Sequence, residues 1–257
     1  HNLSDNMAAK TGNTGMIHIA FAQWDAVDRD LHREGLMWLD DSERNHALRF
    51  RDQISRMEWL GGRMLLRWLL SCTLSGHPDH WRFEREPSGR LIIGQENYGG
   101  YSISLSRAPG IAVAAVAQGF SVGVDVESVT SYRIAEDILT DIERVTAAND
   151  PIKLTGFWCM REAVAKGCSA GAAWAMEPAC FVDGSSYISP SGDTWSSTRL
   201  SLPSGWTGAV AAPGVMPEVL VTNAAAAGFP IYHDPDHYRH NSHNFLQPSG
   251  RGFRQVM

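Results

Sequence analysis

A candidate β-strand in the middle of the chain reads Val122-Gly123-Val124-Asp125-Val126-Glu127. Small and β-branched residues alternate with carboxylates in this stretch, which is the pattern of a strand. Residues two apart leave a strand on the same face, so Asp125 and Glu127 are expected side by side. A site around these two carboxylates would need further ligands from another element of the chain.

That element is a predicted helix further along the chain, reading Phe157-Trp158-Cys159-Met160-Arg161-Glu162-Ala163-Val164-Ala165-Lys166. Glu162 and Lys166 are four residues apart, so they share one face of the helix. Trp158 and Ala165 can then point to the core, with Val164 at the flank. The pattern therefore places a carboxylate and an ammonium group together on the exposed side of the helix.

Three carboxylates from these two elements, Asp125, Glu127 and Glu162, would make an oxygen-rich site for a hard divalent cation. Mg²⁺ prefers such ligands and shares them with phosphate and water. Lys166 beside them is suited to contact a phosphate or to accept a proton. The spacing also fits a solvated sheet face and an ordinary surface pair on a helix, and the pattern alone leaves these readings open.

The composition excludes several classes of function. The 257 residues carry a net charge of −6 with a pI near 5.9, so we expect no binding to nucleic acid or to an anionic membrane. The four cysteines have no Cys-x-x-Cys spacing and indicate reduced thiols of a cytoplasmic protein. We also expect no membrane span and no secretion signal.

A long helical region precedes this centre. Asp40 followed by Glu43 predicts a helix start with a capping box, and the helical pattern from Arg44 to Leu74 is expected to break near Arg51-Asp52. Its second part should bury the apolar residues Trp59, Leu60, Met64, Leu65 and Trp68. Basic residues recur on it at helical spacing and fit a solvated face if nothing else is considered: Arg56, Arg63 and Arg67.

The remaining segments predict short strands. Residues 17–24, 101–107 and 111–116 read as strands of a first half, and 132–148 as a helix or helix pair. Four short strands are expected after Gly171, and their last pair faintly echoes the pair at 103–115. We therefore divide the chain into a flexible leader (1–16), two α+β halves (17–117 and 118–222) and an irregular tail (223–257). The tail histidines are expected to be solvated rather than to bind zinc: His233, His237, His240 and His243.

The strand and helix motifs together resemble the paired signature of the 4′-phosphopantetheinyl transferases, in the larger single-chain type typified by the surfactin-synthetase activator. In that family the first motif reads Gly-Ile/Val-Asp-Ile/Val-Glu and the second Trp-Ser/Cys-x-Lys-Glu-Ser/Ala-x-x-Lys. The order and separation of the two motifs match here. The resemblance covers residues 17–222 and implies an α+β fold of two similar halves packed as a pseudo-dimer.

The resemblance also assigns roles. It implies that Asp125, Glu127 and Glu162 hold Mg²⁺ or Mn²⁺, and that Glu162 or Lys166 takes the proton of the attacking hydroxyl. Coenzyme A would be the substrate, an acyl or peptidyl carrier protein the partner, and the protein a monomer serving polyketide or nonribosomal peptide biosynthesis. Contacts to the nucleotide and phosphates would come from Arg63, Arg67, Arg90, Ser106, Arg107 and Arg161.

Three positions depart from the family pattern. Arg107 stands where the family has a His, Arg161 where it has a Lys, and Leu91 where a Pro follows the basic residue. These changes keep a second hypothesis open, namely a transferase fold that binds coenzyme A or a carrier without transfer, or that acts on pantetheinylated substrates in another reaction. The acidic triad and Lys166 favour the transferase.

Overall fold

The computed structural model of this protein describes residues 15–24, 29–129, 138–177, 181–229 and 254–255. The chain is α+β, with six helices and twelve strands in this part. The predicted leader lies outside the described residues except at its end, where Met16 begins the first strand. The tail histidines and Ile134 of the predicted 132–148 helix also lie outside them.

The first half of the chain forms one strand, three helices and four further strands. The strands are β1 (Met16–Gln23), β2 (Phe83–Arg85), β3 (Leu91–Ile93), β4 (Tyr101–Ala108) and β5 (Ile111–Gln118). The helices are α1 (Arg29–Trp38), α2 (Asp41–Arg49) and α3 (Gln53–Leu74).

The second half repeats this succession of elements. Its strands are β6 (Gly123–Ser128), β7 (Phe181–Asp183), β8 (Ser186–Ile188), β9 (Thr194–Leu200) and β10 (Trp206–Pro213). Its helices are α4 (Asp141–Ala147), α5 (Pro151–Gly167) and the single turn α6 (Ala172–Ala175). Two strands follow, β11 (Glu218–Asn223) and β12 (Arg254–Gln255).

Two five-stranded sheets share the order of three of their strands. The first runs β12-β11-β1-β5-β4 and the second β6-β10-β9-β8-β7, while β2 and β3 form a separate hairpin. The core order β1-β5-β4 of one sheet corresponds to β6-β10-β9 of the other. All pairs are antiparallel except β1 with β11, which are parallel. The pair β4–β5 and the pair β9–β10 therefore hold equivalent places in the two sheets. These are the two strand pairs whose sequences are weakly similar.

The sheets pack against each other and carry one long helix each on the outside. Alternate residues of β1 serve the two sides: Ile19 joins the core between the sheets, and Ala20 joins the core under α3. Val124 of β6 and Val210 of β10 meet Ile19 in the inter-sheet core. Because α5 covers the outer face of the second sheet in the same way, the layers run helix, sheet, sheet, helix.

The predicted helix boundaries in the first half are confirmed. Asp40 caps α2 by accepting a hydrogen bond of 2.8 Å from the backbone N–H of Glu43, and Asp52 caps α3. The chain is extended between the two helices at Phe50. The Glu43 carboxylate does not complete a capping box, since its hydrogen bond is with the guanidinium of Arg67.

Two further expectations concern the segments 132–148 and 223–257. The helix predicted within 132–148 is present as α4, and Ile142 and Val145 lie on its exposed side. The described start of the predicted tail packs on the body of the protein, because Ala224 and Phe229 are buried and Phe229 packs edge-on against Trp68. None of the described helices is both long and apolar enough to cross a membrane.

Candidate active site

A glycine sets the distance between the two elements that carry the predicted site. A Cβ added at Gly123 of β6 would collide with the carbonyl oxygen of Ala163 in α5. Only glycine therefore allows α5 to pass this close to β6. The close approach brings the face of α5 that bears Glu162 and Lys166 against the face of β6 that bears Asp125.

Asp125, Ser106 and Lys166 form a polar triangle between the two halves of the chain. The Lys166 ammonium lies 2.6 Å from Asp125 Oδ1 and 2.9 Å from Ser106 Oγ. The Ser106 hydroxyl donates to the same carboxylate oxygen at 2.8 Å. Asp125 is only 2% exposed, and its other oxygen, Oδ2, has no hydrogen-bond partner among the described residues.

Alternating serines of β4 fix the first half of the chain to β6. Ser102 Oγ accepts a hydrogen bond of 2.9 Å from the Val122 N–H, and Ser104 Oγ accepts one of 3.0 Å from the Val124 N–H. Residues two apart share a strand face, so Ser106 comes next in this row and reaches Asp125. The serines connect strands of two different sheets, and they place β4 beside the acidic face of β6.

The three predicted carboxylates influence one another. Burial raises the pKa of Glu127 to about 7, and the negative charge of Asp125 adds to the effect, while Lys166 opposes it. Burial and Asp125 also raise the pKa of Glu162, again against the influence of Lys166. The carboxylates therefore lie close enough to repel each other, and a positive charge among them is favoured.

Lys166 supplies that positive charge in this structure. Burial lowers its pKa, but the carboxylates of Asp125, Glu162 and Glu127 together raise it above the ordinary value of a lysine. A lysine with a raised pKa is a poor proton acceptor. Glu162, whose pKa lies above the ordinary value of a glutamate, is therefore the better candidate base of the two predicted catalytic residues.

A divalent cation such as Mg²⁺ needs several oxygen ligands around it. In the part of the chain that the structure describes, no three His, Cys, Asp or Glu side chains are arranged to hold a metal ion. The chemistry of the residues nevertheless fits a hard cation, because a buried carboxylate oxygen of Asp125 is unpaired and its neighbours are destabilised by repulsion. The Lys166 ammonium holds the other oxygen of Asp125.

A cleft of about 350 Å³ opens beside the triangle. Glu162 and Lys166 of α5 line one wall, and β4, α3 and the β2–β3 turn line the others. Three of the predicted ligand-binding residues also line the cleft: Arg63, Arg90 and Arg107. The cleft thus combines one carboxylate with several cationic groups, which suits a ligand carrying more than one negative charge.

Arg63 and Arg107 present their guanidinium groups differently. Arg63 is 8% exposed, lies over the rings of Trp59 and Phe83, and approaches Glu43 at 3.6 Å. Its Nη1 has no hydrogen-bond partner among the described side chains and backbone. Burial lowers the pKa of Arg63 to about 10, so it stays charged at neutral pH.

Arg107 is exposed, and its side chain crosses the surface of α3 at Gly62. A Cβ at Gly62 would come within 2.5 Å of the Arg107 side chain, so the glycine makes room for it. Burial of the guanidinium lowers the pKa of Arg107, and the charge of Glu58 opposes this. Its position at the rim leaves it available to an anion entering the cleft.

Arg90 joins the β2–β3 turn to the rest of the site. Its guanidinium donates hydrogen bonds to Ser102 Oγ at 2.6 Å, to Ser121 Oγ at 3.2 Å and to the Gly167 carbonyl at 3.0 Å. These bonds tie the turn to β4 and to the end of α5. Arg90 therefore shapes one wall of the cleft in addition to contributing charge.

Arg67 and Arg161, the other two predicted phosphate contacts, lie elsewhere. Both are fully buried, and each pairs with a buried or nearly buried glutamate, Arg67 with Glu43 and Arg161 with Glu143. Neither lines the cleft. Their contact with the nucleotide, which the resemblance implied, is therefore not supported, because both guanidinium groups are enclosed by the loops that follow their helices.

Sequence reasoning missed several residues of the cleft. Arg85 is one, and its Nη1 donates to the Gly89 carbonyl at 2.6 Å. Trp59 was predicted only as a core residue, yet it also lines the cleft. The position of the hairpin over α3 depends on packing between distant segments, so no local pattern could have indicated these roles. The other lining residues not predicted as part of the site are Ser88, Gly89, Leu91, Ile103, Ser104, Leu105, Ala165, Ser169, Gly171 and Ala172.

The chain matches no protein-family model, and no curated protein matches it either.

Proposed function

We propose that this protein transfers the 4′-phosphopantetheine arm of coenzyme A to a serine of an acyl or peptidyl carrier protein. The observation that carries the proposal is the cleft in which Glu162 and Lys166, next to Asp125, face Arg63 and Arg107. A diphosphate needs cationic groups around it, and an attacking hydroxyl needs a proton acceptor nearby. Both kinds of group line this one cleft.

In the proposed reaction the carrier serine hydroxyl attacks the phosphorus that bears the pantetheine arm. A new O–P bond forms, and the bond between this phosphorus and the bridging oxygen of the diphosphate breaks. The serine proton passes to Glu162, and the bridging oxygen leaves with adenosine 3′,5′-bisphosphate. Lys166, which has three N–H donors on a flexible stem, is suited to contact the diphosphate oxygens.

Mg²⁺ or Mn²⁺, when bound, would neutralise charge on the diphosphate. Asp125 would be the first ligand because its Oδ2 is buried and unpaired among the described residues. Glu127 and Glu162 would complete the set. Arg63, Arg90 and Arg107 would orient the nucleotide end, and Ser106 would hold Asp125 in position through its 2.8 Å hydrogen bond.

We further propose that the two halves form a pseudo-dimer, as expected from the resemblance to the phosphopantetheinyl transferases. The matching orders β1-β5-β4 and β6-β10-β9 support this proposal, as does the long helix on the outer face of each sheet. The three carboxylates of the proposed site, Asp125, Glu127 and Glu162, all belong to the second half, on β6 and α5. One active site per chain is therefore expected, in a monomer acting in the cytoplasm on polyketide or nonribosomal peptide carriers.

The alternative is a protein that binds coenzyme A or a carrier without transfer. One observation favours it: the ammonium group of Lys166 already neutralises Asp125, so the acidic residues do not require a metal to be stable. Under this alternative the cleft still binds the anionic ligand, but a carrier serine is not modified.

Mass spectrometry of apo carrier proteins separates the two functions. The protein is incubated with coenzyme A, Mg²⁺ and several acyl and peptidyl carriers, each with a Ser→Ala control at the acceptor serine. We expect a carrier to gain the mass of phosphopantetheine, with no gain in its control. Binding of coenzyme A without a mass gain on any carrier would favour the binding protein, and failure to bind coenzyme A would reject both.

A further inference from the structure

We propose that Lys166 competes with the divalent cation for Asp125, so that the cation enters only together with an anionic ligand that takes up the lysine. This inference rests on the proposed function and adds to it the condition under which the cation binds. The site would be closed to free cations and would form when the ligand arrives.

The two carboxylate oxygens of Asp125 have different surroundings. One oxygen, Oδ1, receives both the Lys166 ammonium at 2.6 Å and the Ser106 hydroxyl at 2.8 Å. The other oxygen, Oδ2, is buried and has no partner in the described part of the chain. Only one of the two oxygens of Asp125 therefore has hydrogen-bond partners in the described part of the chain. Lys166 is the only charged partner of Asp125 among the described residues.

Lys166 can be reached from the cleft, while Asp125 cannot be reached as easily. Its side chain is 33% exposed and lines the cleft, whereas the Asp125 side chain is almost entirely buried. The flexible stem of a lysine lets its ammonium turn from the carboxylate to an anion in the cleft without movement of α5. Arg63 and Arg107 line the same cleft, so an anion bound there would lie within a cationic environment.

Binding of the cation costs more free energy without an anionic ligand than with one. A cation that binds alone must either sit beside the ammonium, where like charges repel, or displace it. A displaced, partly buried lysine without a partner is costly. An anionic ligand removes this cost because it offers Lys166 a new partner. Binding of the cation and binding of the anion should therefore strengthen each other, and by linkage the effect is equal in both directions.

Isothermal titration of Mg²⁺ tests this competition without any transfer reaction. Mg²⁺ is titrated into the parent protein, Lys166→Met and Lys166→Gln, with and without saturating coenzyme A, after correction for Mg²⁺ bound by free coenzyme A. Arg107→Met is the matched control, because it removes a positive charge from the same cleft but does not touch Asp125. Circular dichroism and thermal unfolding establish that each variant is folded.

We expect Mg²⁺ alone to bind the two Lys166 variants about tenfold or more tightly than the parent, and Arg107→Met about as weakly as the parent. Coenzyme A should increase the Mg²⁺ affinity of the parent about tenfold or more, a usual size for coupling between sites. This second measurement needs no variant, so an absence of coupling would overturn the proposal even if both Lys166 variants unfold.

Unchanged Mg²⁺ affinity in folded Lys166 variants would overturn the proposal, as would equal Mg²⁺ affinity of the parent with and without coenzyme A. In either case carrier modification could still occur, and the proposed function would stand without the competition. If the parent bound neither coenzyme A nor Mg²⁺ under any condition, the proposed function itself would fail and this inference with it.

Discussion

Arg161 of α5 donates hydrogen bonds from Nε and Nη2 to the two carboxylate oxygens of Glu143 in α4, and both side chains are fully buried. The same glutamate completes the capping box of α4 with Thr140. Arg161 Nη1 also donates to the Glu177 carbonyl at 2.9 Å. The pair therefore fixes α4, α5 and the segment after α6 to one another.

The first half contains an equivalent pair. Arg67 of α3 pairs with Glu43, which is also the third residue of the short helix preceding the long one. Arg67 Nη1 donates to the carbonyls of Pro78 and Trp81 beyond α3, at 3.0 and 2.6 Å. An arginine of each long helix thus holds the short helix before it and the loop after it. The two residues that the family resemblance suggested for phosphate contact serve this structural role.

Replacing Arg161 should therefore destabilise the protein. Arg161→Ala leaves the buried Glu143 charge unpaired and should lower the free energy of unfolding by about 3–5 kcal/mol. Arg161→Lys keeps the charge but loses the two parallel hydrogen bonds, so its loss should be smaller. Urea denaturation measures both. Asp41→Ala, at a side chain that is 93% exposed, should cost less than about 1 kcal/mol; an equally small effect of Arg161→Ala would contradict the structural role.

Replacing Glu162 should remove the activity and keep the fold. Glu162→Gln takes away the proposed proton acceptor, a contribution of about a hundredfold or more in rate. The residue lines an open cleft, so the unfolding midpoint should change little. Rates of carrier modification are compared with those of Asp183→Asn, an acidic residue of β7 that does not line the cleft. If Glu162→Gln modified the carrier at the parent rate, Glu162 would have no place in the mechanism.

Arg107 should read a phosphate of coenzyme A. Loss of one charge-assisted contact in Arg107→Ala should cost about 1.5–3 kcal/mol, which raises the coenzyme A requirement roughly ten- to a hundredfold. Dephospho-coenzyme A, which lacks the 3′-phosphate, should then be discriminated less by the variant than by the parent. Arg199→Ala, which removes an arginine stacked on Phe157 outside the cleft, is the control. Equal discrimination by parent and Arg107→Ala would assign the 3′-phosphate to another residue.

The close approach of α5 to β6 should depend on Gly123. In Gly123→Ala the added Cβ meets the Ala163 carbonyl, so α5 must shift, at a cost of about 1–3 kcal/mol or more. The shift should also weaken Mg²⁺-dependent binding of coenzyme A, since it moves Glu162 and Lys166. Gly100→Ala is the control, because an added Cβ there meets no atom within 4 Å. Parent-like stability and binding in Gly123→Ala would show that the helix does not need this contact.

Stability should fall in mild acid because of His18 in β1. Burial lowers the pKa of His18 below its ordinary value of 6.5, so the unfolded chain binds a proton at a higher pH than the folded protein does. Stability is therefore lost as the pH falls below about 6.5, and the loss ends below the folded pKa. Urea denaturation between pH 8 and 5 should show a shallower decline in His18→Gln. Identical pH profiles for the two proteins would exclude His18 as a source.

Much of the local structure could be predicted from the sequence. The alternation in 122–127 gave β6, the capping residues Asp40 and Asp52 mark the starts of α2 and α3, and Glu162 and Lys166 do share a helix face. The alternating serines of β4 also indicated a strand. These features follow from interactions between residues a few positions apart, and such interactions are visible in the sequence itself.

The cores were predicted less completely. All five apolar residues expected to point inward from α3 are buried, yet so are Arg63 and Arg67 of the same helix. Burial of a helix face depends on which segments pack over it, and here the covering loops and hairpin come from outside the helix.

The sequence by itself therefore determined the strand and helix that carry Asp125, Glu127, Glu162 and Lys166, because periodicity assigns side chains to faces. Only the tertiary structure decided which of the basic residues share the cleft with them. Arg63, Arg85, Arg90 and Arg107 line it, while Arg67 and Arg161 are enclosed with glutamates. The physical reason is that a buried guanidinium needs a charged partner and carbonyl oxygens, and these are supplied by segments distant in sequence that meet only when the chain has folded.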